Sequence, residues 1–360
     1  MEEGPITARD VLLRAFLKAE KFNVGVKLPK PRMIFPRSPR YNLMLASWLK
    51  PFEHWLWGNL KSIGSFQVPK RRVVAKGLNG VQRAGLIASK WGGFDDCVCF
   101  EVDGRAFEAH VEAWQLVSES SVYQTAYKGD PLLMSVLRWQ LKNFGTTACG
   151  VRFEREGGRA SGDYNTGMGN TLIMLAIVDA VMRPYRLRYD TLVDGDNALL
   201  FLEKKDLPFV VERFASRAAE ISGHEMVLER PVCVLEQVRF GQSAPLCVDG
   251  KWRMVRDWKK VVSQGTSSHV HLRELAFAPR FLRGVALCEH ALNAGVPILG
   301  EWARVLFEAT RDSGPPVKAQ LYRDYLVLGV DVERCVQPVP TPVSVATRWS
   351  FFRAFGVSPE

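Results

Sequence analysis

Apolar positions recur along this chain with two periods, and their alternation predicts a mixed α+β fold. Cys97 to Asp103 places Val98, Phe100 and Val102 on one face and Cys97, Cys99, Glu101 and Asp103 on the other, the period of a half-buried strand. That strand ends on a carboxylate. Two short apolar runs, Tyr189 to Val193 and Ala198 to Leu202, flank Asp194-Gly195-Asp196-Asn197, so a turn between two strands presents a second carboxylate. Helical periodicity covers Tyr41 to about Leu60, Phe107 to Tyr127, Pro131 to Lys142, Asn165 to Met182 (with Pro184 marking its end) and Leu207 to Ile221. Thr147 to Glu154 with Glu156-Gly157-Gly158 reads as one arm and the turn of a hairpin. Gln237 to Arg256 reads as short strands around turns near Gly241 and Asp249-Gly250. From Trp258 the pattern is mainly helical as far as the proline-rich stretch Pro338 to Pro342.

Charge changes the picture at one end. Between Lys21 and Arg72 there are eleven Lys/Arg and one acid, Glu53, so this segment alone accounts for the net +10 of the 360-residue chain. Its core, Lys27 to Arg40 (KLPKPRMIFPRSPR), cannot be helical, because its prolines remove donors and bias the preceding residues to extended conformations. Interleaved with Phe22, Phe35, Tyr41, Trp48, Trp55 and Trp57, this basic arm suits phosphates and bases; a solvated basic face beside core aromatics is the plainer alternative. Seven scattered cysteines without a CxxC pair fit a reduced cytosolic protein with neither zinc site nor disulfide framework. His269 and His271 share a metal-like spacing but read as surface residues. No apolar run reaches the ~20 residues that span a bilayer.

Candidate chemistry concentrates in Ser161 to Asn170, SGDYNTGMGN. A serine-glycine turn opens a helix with Thr166 and Asn170 on one face, since positions i and i+4 stack. Nucleotidyl transfer uses two divalent cations roughly 3.5–4 Å apart, and magnesium takes only one or two protein carboxylates beside phosphate and water. Asp103 and Asp196 supply those ligands if their strands are neighbours. Either aspartate alone reads more readily as a turn residue; combined with SGDYNTGMGN and the upstream acid Glu108, they point to a template-directed polymerase.

From about Phe16 to Asp257 the chain resembles viral RNA-dependent RNA polymerases of the tombusvirus-like group. FLKAEK resembles the family's opening segment, and PRMIFPRSPRYN with LKPFEHWLW resembles its basic motif F and the following helix. AKGLNGVQR resembles a fingers segment, DGRAFEAHV stands where motif A reads DASRFDQHV, and SGDYNTGMGN is similar to motif B. GDN stands where motif C usually reads GDD, and LEQVRFGQSAPLCVDGKWRMVRD resembles motif E. The GDN variant resembles that of the tombusvirus-like mycoviruses called ambiguiviruses.

The resemblance implies an α+β right-hand polymerase with fingers, an antiparallel-sheet palm and a helical thumb. The implied division is fingers over 1–98, palm with motif A over 99–128, a fingers insertion over 129–160, palm with motifs B to E over 161–257, and thumb over 258–360. Asp103 and Asp196 would hold Mg2+, with Mn2+ as an alternative, and Asn197 would complete the catalytic set. Lys27, Arg32 and Arg37 would meet the nucleoside triphosphate, where guanidinium forks suit phosphate oxygens. Glu108, Ser161, Thr166 and Asn170 would read the ribose. Arg40 and Phe240-Gly241-Gln242 would contact RNA, the latter at the primer terminus or else as a core hairpin. The implied partners are an RNA template, the nascent strand and nucleoside triphosphates.

Three positions depart from the family pattern. Glu108 replaces an aspartate and extends the carboxylate by one methylene. Asn197 replaces the second aspartate of GDD and loses a charge, which Glu101 and Asp194, each two residues before a catalytic aspartate, could compensate if they are not simply solvated or salt-bridged. Val227 stands where many relatives carry a motif D lysine proposed as general acid; His224 and Arg230 are the nearby substitutes. These departures keep open an alternative, a catalytically impaired RNA-binding replication subunit. The start inside a fingers element suggests the distal part of a longer replicase, which would act in the host cytoplasm within a replication complex anchored to membranes by another region.

Overall fold

In the computed structural model of the chain, residues 6–20, 30–61, 68–268 and 271–359 are described; Lys27 and His269 lie outside them. Two compact units form, Met1–Gly77 with Gly93–Pro231, and Leu78–Gly92 with Val232–Glu360.

The first unit begins with α1 (Ala8–Val11), β1 (Leu13–Leu17), β2 (Met33–Ile34) and α2 (Pro39–Asn59), while α3 (Gly80–Trp91) belongs to the second unit. It continues with β3 (Cys97–Gly104), α4 (Phe107–His110), α5 (Ala113–Ala126), α6 (Pro131–Arg138), β4 (Lys142–Thr147) and β5 (Arg152–Glu156). It closes with α7 (Thr166–Met182), β6 (Tyr189–Asp194), β7 (Asn197–Glu203), α8 (Leu207–Val211), α9 (Phe214–Ser222) and β8 (Met226–Leu228). Val98, Phe100 and Val102 of β3 are buried in one core with Leu200 and Leu202 of β7, Met174 and Val178 of α7, and Phe214 of α9; Cys97 and Cys99 on the other face are buried as well, so the expected alternation in burial holds only from Phe100 to Asp103.

Strands β6-β7-β3-β8 form an antiparallel sheet in that order, so the two carboxylate-bearing strands are direct neighbours. Val74 adds a parallel bridge to Val193 on the outer edge of β6. Helix α7 is apolar nearly all round, and eleven of its residues are buried, with Ala176 and Ala180 left exposed on one face.

A second sheet, ordered β2-β1-β4-β5, joins the N-terminal segment to the 142–156 hairpin through a parallel β1–β4 pairing. Four expectations change in this unit. The Pro131 to Lys142 helix stops at Arg138, and Lys142 already begins β4. The hairpin turns at residues 148–151, where Gly150 has φ +83° and Thr147 N–H reaches Val151 O. Gly157 serves close packing instead, since a Cβ there would lie 2.9 Å from Ala113 N. The Phe107 to Tyr127 helix breaks at Val111-Glu112, where Glu112 and Gln115 form a capping box that starts α5. Likewise Leu207 to Ile221 divides into α8 and α9.

Over its described residues, from Lys30 on, the basic arm is extended only up to Ser38. There the Ser38 hydroxyl accepts from Tyr41 N–H at 3.1 Å and Pro39 takes the first helical position, so α2 starts two residues ahead of expectation.

In the second unit, β9 (Ser243–Val248) and β10 (Lys251–Arg256) pair across Asp249-Gly250, whose φ values of +49° and +78° match a type I′ hairpin turn. Helix α3 packs on this hairpin, with Gly80 against Met254. Then follow α10 (Trp258–Gly265), α11 (Ala278–Asn293), α12 (Leu299–Ala309), α13 (Arg323–Val327) and α14 (Val345–Phe355), the last beyond the proline-rich stretch where no helix was expected. Phe351 of α14 shares a core with Leu246 and Val255. The expected boundary at 258 therefore falls inside this unit.

Candidate active site

The β6-β7 hairpin presents Asp196 through a two-residue turn in which Gly195 adopts φ +69°, a conformation that favours glycine. Two hydrogen bonds fix this turn. Thr171 of α7 donates its hydroxyl to Gly167 O at 2.7 Å and accepts from Gly195 N–H at 2.9 Å. Gly104 N–H donates to Asp196 O at 3.2 Å, tying the turn to the residue after Asp103. Asp103 itself lies opposite Asn197 on one side and Val227 on the other.

Acids crowd this edge of the sheet. Burial raises the Asp196 carboxyl to about 6, with Glu108 and Asp103 pushing the same way against its backbone hydrogen bond and Lys76. Burial, then Glu229, raises Asp103. Glu101 is pushed up to about 7 by burial and then by Asp103, Glu229 and Asp196. Half-buried carboxylates that repel one another are hard oxygen donors with unbalanced charge, and the donor set fits a divalent cation such as magnesium. Among the described residues no three Asp, Glu, His or Cys side chains form a ready cage.

Lys76, which lies in AKGLNGVQR but was not singled out as a site residue, reaches this cluster. Its Nζ lies 3.1 Å from Asp194 Oδ1, so Asp194 is salt-bridged, one of the two bland readings weighed for it. The signal was faint: a lysine following the apolar triplet Val73-Val74-Ala75, which pairs with the edge of β6.

Of the ribose-reading candidates, Glu108 stands close enough to Asp196 to raise its pKa, and Asn170 holds Glu108. Asn170 is buried, and its Nδ2 donates to Glu108 Oε1 at 3.2 Å. Ser161 is half-buried, and its carbonyl accepts from Phe35 N–H at 3.0 Å. Gly162, at φ +146°, passes so close to the basic arm that a Cβ would lie 2.9 Å from Pro36 Cα. The Thr166 hydroxyl is committed to the turn, within 3.0 Å of Ala160 O and 2.8 Å of Asp163 O.

The basic arm divides its arginines between two jobs. Arg32 is exposed; it donates through Nε to Glu20 at 2.7 Å, and this hydrogen bond, opposed by partial burial and aided by the charges of Glu108 and Asp196, raises its pKa. Arg32 thus senses the acidic site. Glu20, missed as a functional residue although it sits in FLKAEK, anchors it and also pairs with Lys18 at 3.2 Å. Arg37 is a correction: its side chain is 1% exposed and engaged with Asp163, Asn143 and Trp139 O, so it braces the serine-glycine turn and offers no fork to a triphosphate. Arg40 pairs with Asp10 at 3.3 Å.

Phe240, Gly241 and Gln242 belong to the second unit. Phe240 is a buried ring under the Arg83 guanidinium, so of the two readings the core hairpin holds for it, whereas Gly241 and Gln242 form an exposed tip with φ +58° and +61°. In the first unit His224 fails as a general acid. Burial, then His110, lowers its pKa to about 4, and its ring packs on Phe107 at 4.3 Å, so it is neutral and enclosed at physiological pH.

The family model described as viral RNA dependent RNA polymerase matches residues 1–360. The RNA-directed RNA polymerase of carnation mottle virus is 32% identical over 99% of this chain and 46% of its own length. Those of red clover necrotic mosaic virus and tobacco necrosis virus (strain A) are 31% and 30% identical over all of this chain, and 46% and 49% of theirs. The chain spans about half the length of the curated relatives it matches.

Proposed function

This chain belongs to the viral RNA-dependent RNA polymerase family, of tombusvirus-like type, and from that premise we propose that it copies RNA by adding ribonucleoside monophosphates to a growing strand with release of pyrophosphate. The observation that carries the reading is the pairing of β3 with β7, which brings Asp103 and the Asp196 turn to one edge of one sheet. In this reading the β6-β7-β3-β8 sheet with α7 is the palm, the β2-β1-β4-β5 sheet belongs to the fingers, and the helices after Trp258 make the thumb.

Asp103 and Asp196 would hold magnesium, or manganese in its place. When bound, two such cations lower the pKa of a 3′-hydroxyl and neutralise triphosphate charge. The chain's own residues do the rest. Arg32, exposed beside the acids, meets the triphosphate and orients it. Glu108, steadied by Asn170, accepts a hydrogen bond from the ribose 2′-hydroxyl, while the Ser161 turn fixes the start of the helix that carries Asn170. His224 donates no proton, and the general acid at this site is neither His224 nor Val227. Among the described residues no helix is long and apolar enough to cross a membrane; a setting in the host cytoplasm, within a membrane-associated replication complex, is supported by motif resemblance alone.

The test is primer extension by the purified chain on an RNA template. Template-dependent incorporation that needs a divalent cation is the expected result. A folded, RNA-binding chain that never incorporates nucleotide would overturn the reading in favour of an impaired replication subunit.

A further inference from the structure

Arg159 and Glu119, neither of them part of the proposed metal site, form an ion pair whose side chains are 1% and 2% exposed. Burying two charges gains little net stability over apolar side chains of the same volume, so such a pair calls for another explanation. Its geometry supplies one. The Arg159 guanidinium engages Glu119 through both terminal nitrogens, Nη1 at 3.3 Å, and turns Nε to Asn170 Oδ1 at 3.2 Å. Because the amide oxygen is claimed from one side, the Asn170 nitrogen faces the other, where it meets Glu108 Oε1. The Arg159 backbone N–H also donates to Glu108 O at 2.8 Å.

The pair is braced on its far side. Glu119 Oε1 accepts from Tyr123 Oη at 2.6 Å and from Asn165 Nδ2 at 2.9 Å. Asn165 exchanges hydrogen bonds with Gln140, which also reaches Asp163, the partner of Arg37. Gly169 gives independent evidence that room has been made for the pair, since a Cβ there would collide with both the Arg159 guanidinium and the Glu119 carboxylate.

We propose that Arg159, locked by Glu119, is a positioning residue for sugar selection: it sets the amide orientation of Asn170 and so holds Glu108 where a carboxylate oxygen meets a ribose 2′-hydroxyl. A flipped Asn170 amide would aim oxygen at carboxylate and push Glu108 out of place. Lysine at 159 keeps the charge but lacks the fork that spans Glu119 and Asn170 together. The inference rests on the proposed reading of Glu108 and Asn170.

The experiment measures single-nucleotide incorporation with ribo- and deoxyribonucleotides, together with equilibrium binding of ATP and dATP, on the full chain and five variants. Arg159→Lys should lower the ribose-to-deoxyribose preference on the order of tenfold, mainly by raising KM for the ribonucleotide. Asn170→Ala should lower it similarly, and the two together should lose no more than either alone. The double variant Arg159→Met with Glu119→Leu removes both charges while keeping volume, so a folded chain is obtained even if Arg159→Lys unfolds; it too should lose the preference. An unchanged preference in either folded Arg159 variant, or losses that add with Asn170→Ala, would overturn the positioning role. If Asn170→Ala and Glu108→Ala themselves leave the preference intact, the ribose reading fails instead.

Discussion

Asp103 and Asn197 stand directly opposite each other on β3 and β7, in a register that also pairs Asn197 with Asp194 across the β6-β7 turn. One amide is thereby set between two acids that it cannot repel. Had position 197 carried the aspartate usual in motif C, the sheet edge would hold Asp103, Asp194, Asp196 and a fourth carboxylate, beside a Glu229 that already raises Asp103 and Glu101.

Asp103→Ala and Asp196→Ala should each cut nucleotide incorporation by at least about a hundredfold, because each removes a carboxylate from the site where charge develops. Both side chains are half-buried at the sheet edge, so folding and RNA binding should persist. Circular dichroism and filter binding, run beside primer extension, check this. Near-normal incorporation by either folded variant would defeat the metal assignment.

Asp196 also makes a prediction about stability. Its carboxyl is raised from 3.8 to about 6 in the folded chain, so the native state holds this proton more tightly than the unfolded state does. Stability without metal should therefore fall as pH rises from about 4 to about 6, and the loss should persist above that window. Asp196→Asn should raise the melting temperature in chelator at about pH 8 and change it little near pH 4. A melting difference that does not grow with pH would show that Asp196 carries no such repulsion.

The two arginines of the basic arm should separate cleanly. Arg37→Ala leaves Asp163 buried without its cation and should destabilise the first unit by about 3–5 kcal/mol, seen as a large drop in the denaturant midpoint. Arg32→Ala breaks an exposed pair with Glu20, worth at most about 1 kcal/mol, so it should leave melting nearly intact and raise KM for nucleotides. Equal effects on stability would mean that Arg32 is as structural as Arg37.

This contrast marks where the sequence was legible. Val98 to Asp103 and the Gly195 turn were readable because period-two alternation and a glycine at positive φ are local signals. Lys30 to Arg40 showed only that the segment is basic and extended; whether an arginine meets solvent or Asp163 depends on a partner 126 residues away. The β1–β4 pairing was unreadable for the same reason, since Leu13 finds its partner Gly145 across most of the first unit. Gly157-Gly158 misled because the same residue type serves a turn and a close approach. The site aspartates came from motifs; Lys76 lay in one without its role being legible, and Glu119 and Arg159 came only from the fold.

Asn197→Asp should remain active and shift the metal dependence. Aspartate would add a full charge opposite Asp103 and across the turn from Asp194, whose present counter-charge is Lys76 Nζ at 3.1 Å. Magnesium gives up its water reluctantly, so an extra anionic oxygen should help it more than manganese, which enters a mixed site more readily. The magnesium concentration for half-maximal primer extension should fall by about three- to tenfold, and the advantage of manganese should shrink. Tighter binding of the metal in the ground state should also slow turnover at saturation. Titrating both metals against the parent chain and Asn197→Asp under identical conditions decides the matter. Identical metal dependence would leave Asn197 a structural turn residue, whereas a silent parent chain restored by Asn197→Asp would mean that the native site is impaired and that the missing charge is the cause.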